Sequence, residues 1–562
     1  MKKCKTGERS DKPLSDSKYE MTRREFCASG VATSLTVAAN AFPNSSIQPD
    51  NLDRQRKNQY TLDEYEADVL SLGLKRTWEQ ICARVIADGE DERGILHVAN
   101  FGELYEIGLA LIDKNTKKSN GQYFTPSDVC RIMAEWFDRR KGNIICDVGC
   151  GVGNLILGYF DYIGKDRAMS ILKEGRLHLY DLDEVALLIC VKSLAIRYGK
   201  RIESMIKVHH GDFLNANLHL PKDCKVITNP PYASIGEIPE SWQQSDVIRE
   251  SKELYAAFME KILRESQSSV IITPYSFIGG KMFYPLRRLM NNHNGFVVSF
   301  DNVPGTIFCG RKHGIFNTNT GNSVRAAITV VENEGPVKGF RFSPLIRFKA
   351  VERGRLLKCD VLESFVGTKH QTVDGRYQMF AKCDRRLEGV FNAWLDVSDA
   401  YLGMYLSAVG KYEMFVPNSC RYFTTAASRN LSRKGQISLC FSDEDIFWYV
   451  FCMMNSSFAY WHWRLYDGGI TYPKGLLLQM PVFPTRLSAE DKKFFKSIAQ
   501  KMIASADKYI VTKNNVGTQE NIKYPREYRD TINQRLLNVI GIKKDARMFD
   551  IVHSNMALEV NV

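Results

Sequence analysis

The chain has 562 residues, 44% of them hydrophobic and 25% charged, a balance that excludes wholesale disorder and predicts roughly two to four domains. No apolar stretch reaches the roughly 18 residues of a membrane-spanning helix, so no membrane partner is expected. The net charge of +12 is compatible with a polyanionic partner, although plain solubility would explain it as well.

The 14 cysteines are scattered along the chain, and no two of them form a C-x-x-C pair. This spacing favours neither a zinc site nor a disulfide framework, so we expect reduced thiols. No cluster of histidine, cysteine and aspartate has the spacing of metal ligands either. The sequence therefore predicts a protein without a bound metal.

Residues 1–60 are predicted to be a loosely ordered or signal-like tail. Arg23 and Arg24 precede an apolar run at Ala28–Ala38 and the small-residue sequence Ala39–Ala41, a pattern typical of twin-arginine export signals. We nevertheless expect a cytoplasmic protein, because the chemistry inferred from the rest of the chain belongs inside the cell.

Residues 61–115 are predicted to be helical, since apolar residues recur there three and four positions apart. In residues 116–335, short β-branched runs alternate with helical segments. These runs are Ile144–Cys146, Leu177–Tyr180, Ile206–Val208, Lys225–Thr228, Ser269–Ile272, Gly295–Phe300 and Val324–Val331. The alternation predicts an α/β domain with a parallel sheet, helices on both faces and a ligand site at the carboxyl edge of the sheet.

The character of the sequence changes after this region. Lys338–Lys358 is basic and interleaved with phenylalanines, and an aromatic-rich stretch with little periodicity follows it. We interpret residues 340–485 as a second domain of mixed α and β structure. Helical patterns return at Ser488–Tyr509 and Glu527–Val539, which predicts C-terminal helices over residues 486–562.

The first chemical signal is the glycine-rich segment Asp147–Asn154, placed between a predicted strand and a predicted helix. Gly149, Gly151 and Gly153 allow a tight turn and a close approach of backbone N–H groups to a ligand. The segment ends in asparagine rather than glycine, which disfavours a dinucleotide site. Alone, it could equally be a turn that binds nothing.

Acidic residues follow the next two predicted strands. Asp181, 28 residues after Gly153, can accept hydrogen bonds from both hydroxyls of a ribose. Asp212 can accept from the exocyclic amine of an adenine while the ring of Phe213 stacks on its face. Each acid alone is more often a helix cap or a turn residue, but together with the glycine segment they predict a nucleoside site.

The most specific motif is Asn229-Pro230-Pro231-Tyr232, after the fourth predicted strand. The two prolines remove two backbone donors and fix the direction of the chain, so the Asn229 amide and the Pro230 carbonyl can point into a cleft. These two oxygens can accept both N–H bonds of a planar amino group, and the Tyr232 ring can stack on it. The alternative is a proline turn with a packed tyrosine.

A further segment, Gly121–Pro126, precedes the first helix of the predicted sheet domain. It could fold over one end of a bound cofactor, with Tyr123 and Thr125 as the contacting residues. By itself it would be an unremarkable loop.

In this order, the motifs resemble the N6-adenine DNA methyltransferases of restriction–modification systems, with the motif order of their gamma class. The resemblance covers about residues 100–335. It implies a Rossmann-like, S-adenosylmethionine-dependent methyltransferase fold, S-adenosylmethionine as the cofactor and double-stranded DNA as the partner. Asp181 stands where many relatives carry glutamate, and its role should survive because both side chains offer a carboxylate.

The resemblance also implies roles for individual residues. A target adenine would flip out of the duplex and stack on Tyr232, while Asn229 and the Pro230 carbonyl accept from its amino group. The implied catalytic set is Asn229, Pro230, Pro231 and Tyr232. The implied cofactor-binding set is Tyr123, Thr125, Asp147, Gly149, Gly151, Gly153, Asp181, Asp212 and Phe213.

Residues 340–485 would then be the DNA target-recognition domain. Candidate phosphate contacts are the basic stretch Lys338–Lys358 and the cluster of Arg421, Arg429, Arg433 and Lys434, although each could equally be a solvated basic face. The segments Tyr460–Arg464 and Asp467–Gly469 resemble recognition-domain segments of the same enzymes. We expect their aromatic residues to lie in a core.

Two other functions fit the motifs. A protein methyltransferase acting on a glutamine amide meets the same amino-group chemistry at Asn229–Tyr232, but such proteins lack a large C-terminal domain. A modification subunit could instead serve mainly as a scaffold, with a specificity subunit or a restriction endonuclease as its partner. A fused nuclease is not expected, because the segment before Gly121 is too short to hold one.

Overall fold

The computed structural model of the chain describes residues 62–87, 101–112, 125–238, 240–308, 324–333, 336–373, 378–420, 423, 425–513 and 519–559. The predicted export pattern around Arg23 and Arg24 lies outside these ranges. Within them, no helix combines the length and the apolar character that crossing a membrane requires.

Eight strands form the central sheet. They are β1 (Ile144–Val148), β2 (Leu177–Asp181), β3 (Lys207–His210), β4 (Cys224–Thr228), β5 (Ser268–Pro274), β6 (Asn294–Phe300), β7 (Ala326–Glu332) and β8 (Gly339–Ile346). Their order is β3-β2-β1-β4-β5-β7-β6-β8. Only β7 runs antiparallel to its neighbours among these eight strands. The predicted α/β domain is confirmed, and the direction of β7 is the departure, because a buried apolar run does not encode the direction of its strand.

Ten helices precede, connect or flank these first strands. They are α1 (Leu62–Leu72), α2 (Leu74–Ala87), α3 (Phe101–Ile112), α4 (Ser127–Asp138), α5 (Asn154–Ile163), α6 (Lys165–Lys173), α7 (Glu184–Tyr198), α8 (Asp246–Ser251), α9 (Leu254–Glu265) and α10 (Tyr284–Met290). Strand side chains alternate between two cores. Ile145 packs with α4 to α7, whereas Cys146 and Val148 pack with α8 to α10.

The sheet continues past the predicted domain boundary at residue 340. β8 pairs in parallel with β6, and both Phe340 and Phe342 are buried. The predicted start of the second domain at residue 340 is therefore too early, because this basic stretch begins with an edge strand of the central sheet. Two short helices, α11 (Arg353–Leu356) and α12 (Cys359–Ser364), then pack back onto the core beside α4.

The remaining elements form the C-terminal half. They are α13 (Glu388–Val397), β9 (Ala400–Tyr401), β10 (Tyr412–Pro417), β11 (Gln436–Phe441), α14 (Glu444–Met454), α15 (Ser457–Tyr466), α16 (Lys474–Leu478), β12 (Pro481–Val482), α17 (Ala489–Ser505), β13 (Ile510–Lys513), β14 (Gln519–Ile522), α18 (Arg526–Val539) and α19 (Asp550–His553). One hydrophobic core reaches from Ala381 to Val552, so the regions predicted as separate at residue 485 share it. Tyr460, Trp461 and Trp463 lie in this core, as expected.

Candidate active site

The glycine segment forms the turn between β1 and α5. Gly149, Gly151 and Gly153 all have positive φ angles, of 69°, 53° and 90°. At Gly153 a Cβ atom would lie 2.5 Å from the sulfur of Cys190, so only glycine fits. The backbone N–H groups of Gly149 and Cys150 donate to the Tyr180 carbonyl oxygen, over 2.8 and 3.0 Å. The turn is therefore fixed to the end of β2.

Asp147 lies beneath this turn and is fully buried. Neither of its carboxylate oxygens makes a well-formed hydrogen bond to a described residue. Burial raises the pKa of Asp147 well above its usual range, the negative charge of Asp181 adds to this rise, and the backbone N–H of Ile156 opposes it. A buried carboxylate with few hydrogen-bond donors around it suits a ligand that brings a positive charge or N–H donors.

Asp181 ends β2 and holds the glycine turn in place. Its carboxylate accepts from the backbone N–H of Gly151 over 2.7 Å and from that of Asp183 over 2.9 Å. Burial raises its pKa, and these backbone donors oppose the rise. A carboxylate offers about four lone-pair sites, so the predicted ribose contact stays compatible with the two bonds observed.

Leu182, between these two acids, is a candidate that the sequence reasoning missed. Its side chain is 71% exposed although it follows a buried strand end. An apolar residue between two acids in a strand-end turn is the signal that could have found it. An apolar side chain at this point is suited to packing on a flat ring.

Asp212 and Phe213 follow β3, as predicted, but their side chains point into different environments. The Asp212 carboxylate is exposed and accepts from the Leu214 backbone N–H over 2.9 Å. The Phe213 ring is only 3% exposed and packs against Tyr180 and Phe258, at ring-centre distances of 5.8 and 5.1 Å. The structure thus places this ring in the core and not as the exposed stacking surface that the sequence predicted, since burial against two rings stabilises it.

The segment Asn229–Tyr232 follows β4 and faces the glycine turn. The Thr228 hydroxyl donates to the Val148 carbonyl oxygen, which ties the ends of β4 and β1 together. A Cβ atom at Gly149 would lie 4.0 Å from Cδ of Pro231. The predicted catalytic segment and the predicted cofactor turn are therefore neighbours at the carboxyl edge of the sheet.

Contacts on both sides orient the side chains of this segment. The Asn229 amide nitrogen donates to the Thr125 hydroxyl oxygen over 2.9 Å. The Tyr232 hydroxyl donates to the Ile272 carbonyl oxygen over 3.2 Å, and the ring lies edge-on to Phe308, 6.1 Å away. Asn229 and Tyr232 are both half-buried, and the amide oxygen of Asn229 is itself buried.

Thr125 lies just before α4 and is only 3% exposed. The sequence predicts a contact between its hydroxyl and the cofactor, and in the structure that hydroxyl accepts from the Asn229 amide. The predicted contact of Tyr123 lies outside the described residues.

The N-terminal helices form a side wall of the site, which the sequence did not predict. The Tyr105 hydroxyl donates to the carboxylate of Asp183, and Lys75 pairs with Glu184 over 2.6 Å. Val152 of the glycine turn packs in the same core as Trp78. The α1 to α3 segment thus supports both the turn and the first residues of α7.

The predicted phosphate contacts are only partly free for that role. Arg429 pairs with Asp507 over 3.1 Å, and Arg433 donates to Asn521 over 2.5 Å. Lys434 is exposed and forms no ion pair with the residues that the structure describes. Arg421 lies outside those residues. In the basic stretch after residue 338, Arg347 and Arg353 each pair with a carboxylate.

A buried charge cluster joins the two halves beside this edge. Asp301, which follows β6, contacts Arg325 and Arg347 over 2.9 Å each and Arg464 of α15 over 3.0 Å. Burial alone would raise the pKa of Asp301, but the three arginines outweigh it and lower that pKa. Among the described residues, no cluster of three or more His, Cys, Asp or Glu side chains could hold a metal ion.

Comparison with known proteins places this site in a family. Residues 97–278 match the family model described as "N-6 DNA Methylase". The type II methyltransferase M.PstI of Providencia stuartii is 28% identical over 201 residues, 33% of this chain and 39% of that protein. The EcoEI methylase subunit of a type I restriction enzyme from Escherichia coli is 24% identical over 190 residues, 32% of this chain and 38% of that protein.

The chain thus spans about two fifths of the length of these curated relatives. A solved structure of the type ISP restriction–modification enzyme LlaGI, a nuclease-deletion mutant with a DNA substrate mimic, overlaps 77% of this chain and 60% of that one, with 12% identity and a TM-score of 0.40. The family match covers the glycine turn, the strand-end acids and the Asn229–Tyr232 segment, all assembled at one edge of the sheet. Residues 97–278 are therefore a domain of the N-6 DNA methylase family.

Proposed function

We propose that the chain is a site-specific DNA methyltransferase that transfers a methyl group from S-adenosylmethionine to N6 of an adenine flipped out of the duplex. The observation that carries this proposal is that Pro231 of the segment Asn229–Tyr232 lies beside Gly149 of the glycine turn. An acceptor of amino-group protons beside a cofactor turn is the arrangement that methylation of an exocyclic amine requires.

The residues of the turn fit this cofactor. S-adenosylmethionine supplies an electrophilic methyl group on a positively charged sulfur, together with an amino group, a ribose and an adenine. The buried Asp147 carboxylate suits its positively charged end, and the remaining lone pairs of Asp181 suit the ribose hydroxyls. Leu182 offers an apolar surface for the adenine, and Asp212 offers an exposed carboxylate for the adenine amine.

The catalytic segment would act by holding the target amine. The Asn229 amide nitrogen is engaged by Thr125, so the amide oxygen lies on the other side of the carboxamide. That oxygen and the Pro230 carbonyl oxygen would accept the two N–H bonds of the amine and draw its lone pair out of conjugation with the ring. Positive charge develops on this nitrogen during transfer, and the same two oxygens stabilise it. Tyr232, held by Ile272, would stack on the flipped base.

Double-stranded DNA is the proposed partner, and the net charge of +12 is consistent with it. The C-terminal half, with Arg433 and Lys434, would read the target. Similarity to type II and type I methylases supports a role in a restriction–modification system, with a cognate endonuclease or a specificity subunit as a further partner. Such an enzyme would act in the cytoplasm, where its DNA substrate lies.

The direct test incubates the purified full chain with methyl-labelled S-adenosylmethionine and duplex DNA. We expect label in N6-methyladenine with the native protein and a loss of several orders of magnitude with Asn229→Ala, while cofactor affinity persists. Full activity of Asn229→Ala would contradict the assigned role. Label in a glutamine-containing protein and not in DNA would favour amide methylation, and activity only after a second subunit is added would favour the scaffold function.

A further inference from the structure

The loop Asp467–Thr471, which follows α15, is held rigidly along its backbone. The Asp467 carbonyl oxygen accepts from the Tyr275 hydroxyl over 3.0 Å, and the Gly469 carbonyl oxygen accepts from Arg325 over 3.1 Å. The Asp467 carboxylate accepts from the Gly469 N–H over 2.6 Å, and the Cys420 N–H donates to the Ile470 carbonyl oxygen over 3.0 Å. Its conformation is therefore fixed by both halves of the molecule.

The same contacts place this loop near the catalytic segment. Tyr275 directly follows β5, and the carbonyl oxygen of Ile272, three residues earlier, accepts from Tyr232. At about 3.3 Å per residue, Tyr275 lies roughly 10 Å along the chain from that contact. Gly279 approaches so closely that a Cβ atom there would lie 2.1 Å from the Tyr466 carbonyl oxygen. The loop and Tyr232 thus both lie at the carboxyl edge of the sheet, linked through the end of β5.

One side chain of this rigid loop is exposed and apolar. Ile470 is 58% exposed and directly follows Gly468 and Gly469. Gly468 has a φ of 74°, a backbone conformation that favours glycine. A single exposed isoleucine is ordinary on a protein surface. What distinguishes Ile470 is that its β-branched side chain stands on a backbone fixed by hydrogen bonds, at the same edge of the sheet as the proposed base-binding cleft.

The charge around the loop favours a polyanion as its partner. Besides Arg325, which contacts the loop directly, basic residues on neighbouring segments include Lys281, Arg433, Lys434 and Lys474. Arg433 donates to Ser419 over 2.8 Å, and Ser419 forms a β-bridge with Thr471. Asp467, an acid of the loop, accepts from the Gly469 N–H within the loop itself.

We propose that Ile470 enters the DNA duplex and fills the space that the target adenine leaves when it flips into the cleft. This inference rests on the proposed function and adds to it the residue that stabilises the flipped state. Apolar side chains, isoleucine among them, are known to insert between stacked bases as wedges. Such a side chain would offset part of the unstacking cost of base flipping, which is least when the target is already mispaired.

The test compares Ile470→Ala with the native chain on two duplexes. Both carry the methylated sequence read from the DNA of a host that expresses the chain, and in one of them the target adenine is mispaired. The matched control is Val409→Ala, since Val409 is 90% exposed and lies near the other end of β10 and β11 from Lys434. The Ile470→Val variant tests whether a branched apolar side chain suffices, and the melting temperature reports folding.

We expect Ile470→Ala to methylate the paired duplex about tenfold more slowly, the size expected for losing the burial of one apolar side chain, and to recover most of this rate on the mispaired duplex. In the bound state, 2-aminopurine at the target position should fluoresce less with Ile470→Ala than with Val409→Ala. Equal losses on both duplexes, or no loss, would overturn the inference. If the native chain methylates neither duplex, the proposed function itself fails.

Discussion

The side chain of Asn229 is oriented by Thr125, whose hydroxyl oxygen accepts from the Asn229 amide nitrogen over 2.9 Å. Because Thr125 is almost fully buried, water cannot easily replace this partner. The bond selects one of the two amide orientations and turns the oxygen away from Thr125. A hydroxyl outside the proposed catalytic segment thus decides which atom of Asn229 would face the proposed target amine.

We predict that Thr125→Val lowers kcat up to about tenfold, since a lost buried hydrogen bond is worth about 1 kcal/mol. Valine has the same shape but cannot accept the bond, so the amide orientation is no longer fixed. Thr125→Ser keeps the hydroxyl and should retain most of the rate. Calorimetry of cofactor binding separates the two roles of Thr125, because a weaker affinity with unchanged kcat would mean that its hydroxyl binds the cofactor instead.

Asp212 is expected to contribute to cofactor affinity and not to the chemical step. Its carboxylate is exposed at the end of β3 and is available to an adenine amine. We predict that Asp212→Ala raises the Kd for S-adenosylmethionine about tenfold or more, the size expected for a hydrogen bond to a charged group. Asp396→Ala, a substitution at an exposed acid of α13, serves as the control. An unchanged Kd would count against the adenine contact.

Asp147 should destabilise the protein when no ligand is bound. Burial holds its pKa well above the unfolded value. The folded state therefore keeps a proton that the unfolded state releases, and stability falls as the pH rises above about 4, the pKa of an unfolded aspartate. Asparagine cannot ionise, so we predict that Asp147→Asn melts higher than the native chain at pH 7, by an amount that shrinks toward pH 4.

Asp147→Asn should also weaken cofactor binding, because a neutral amide cannot balance the positive charge that the proposed cofactor carries. Calorimetry at pH 7 measures this loss alongside the melting curves. A melting difference that does not change with pH would show that Asp147 is ionised in the free protein.

The sequence was informative where function depends on contiguous residues. The runs at Leu177–Tyr180 and Lys225–Thr228 predicted strands, and the groups that follow them meet at one edge because the strands are parallel. Phe340 and Phe342 are a signal of β8 that the sequence analysis did not use, since two buried rings on either side of the charged Arg341 follow the two-residue period of a strand.

Ion pairs and hydrogen bonds between residues far apart in the chain could not be predicted from the sequence. Arg429 and Asp507 are 78 positions apart, and no local pattern relates them. The partner of Asn229 at Thr125 is 104 positions away. Charge and motif reasoning therefore identified candidate residues, but not which of them are already engaged within the protein.

Asp301 should be the ion-pair partner on which the junction between the two halves depends. Its carboxylate neutralises part of the positive charge of Arg325, Arg347 and Arg464. Of these, Arg464 belongs to α15 and contacts Asp301 from the C-terminal half. We predict that Asp301→Asn destabilises the protein by about 3–5 kcal/mol, because it leaves buried guanidinium groups without a counter-charge.

The contribution of Asp301 to the stability of the fold changes with pH in the opposite direction from that of Asp147. The arginines lower the pKa of Asp301, so its contribution to stability is present above about pH 4, the pKa of an unfolded aspartate, and is lost as the pH falls through the lower folded-state value.

Urea unfolding of Asp301→Asn and the native chain at pH 7 measures the loss of stability. Asp161→Asn, which removes one partner of the exposed pair with Arg197, is the matched control and should cost less than about 1 kcal/mol. Equal stability of the two variants would mean that the arginines are solvated without Asp301.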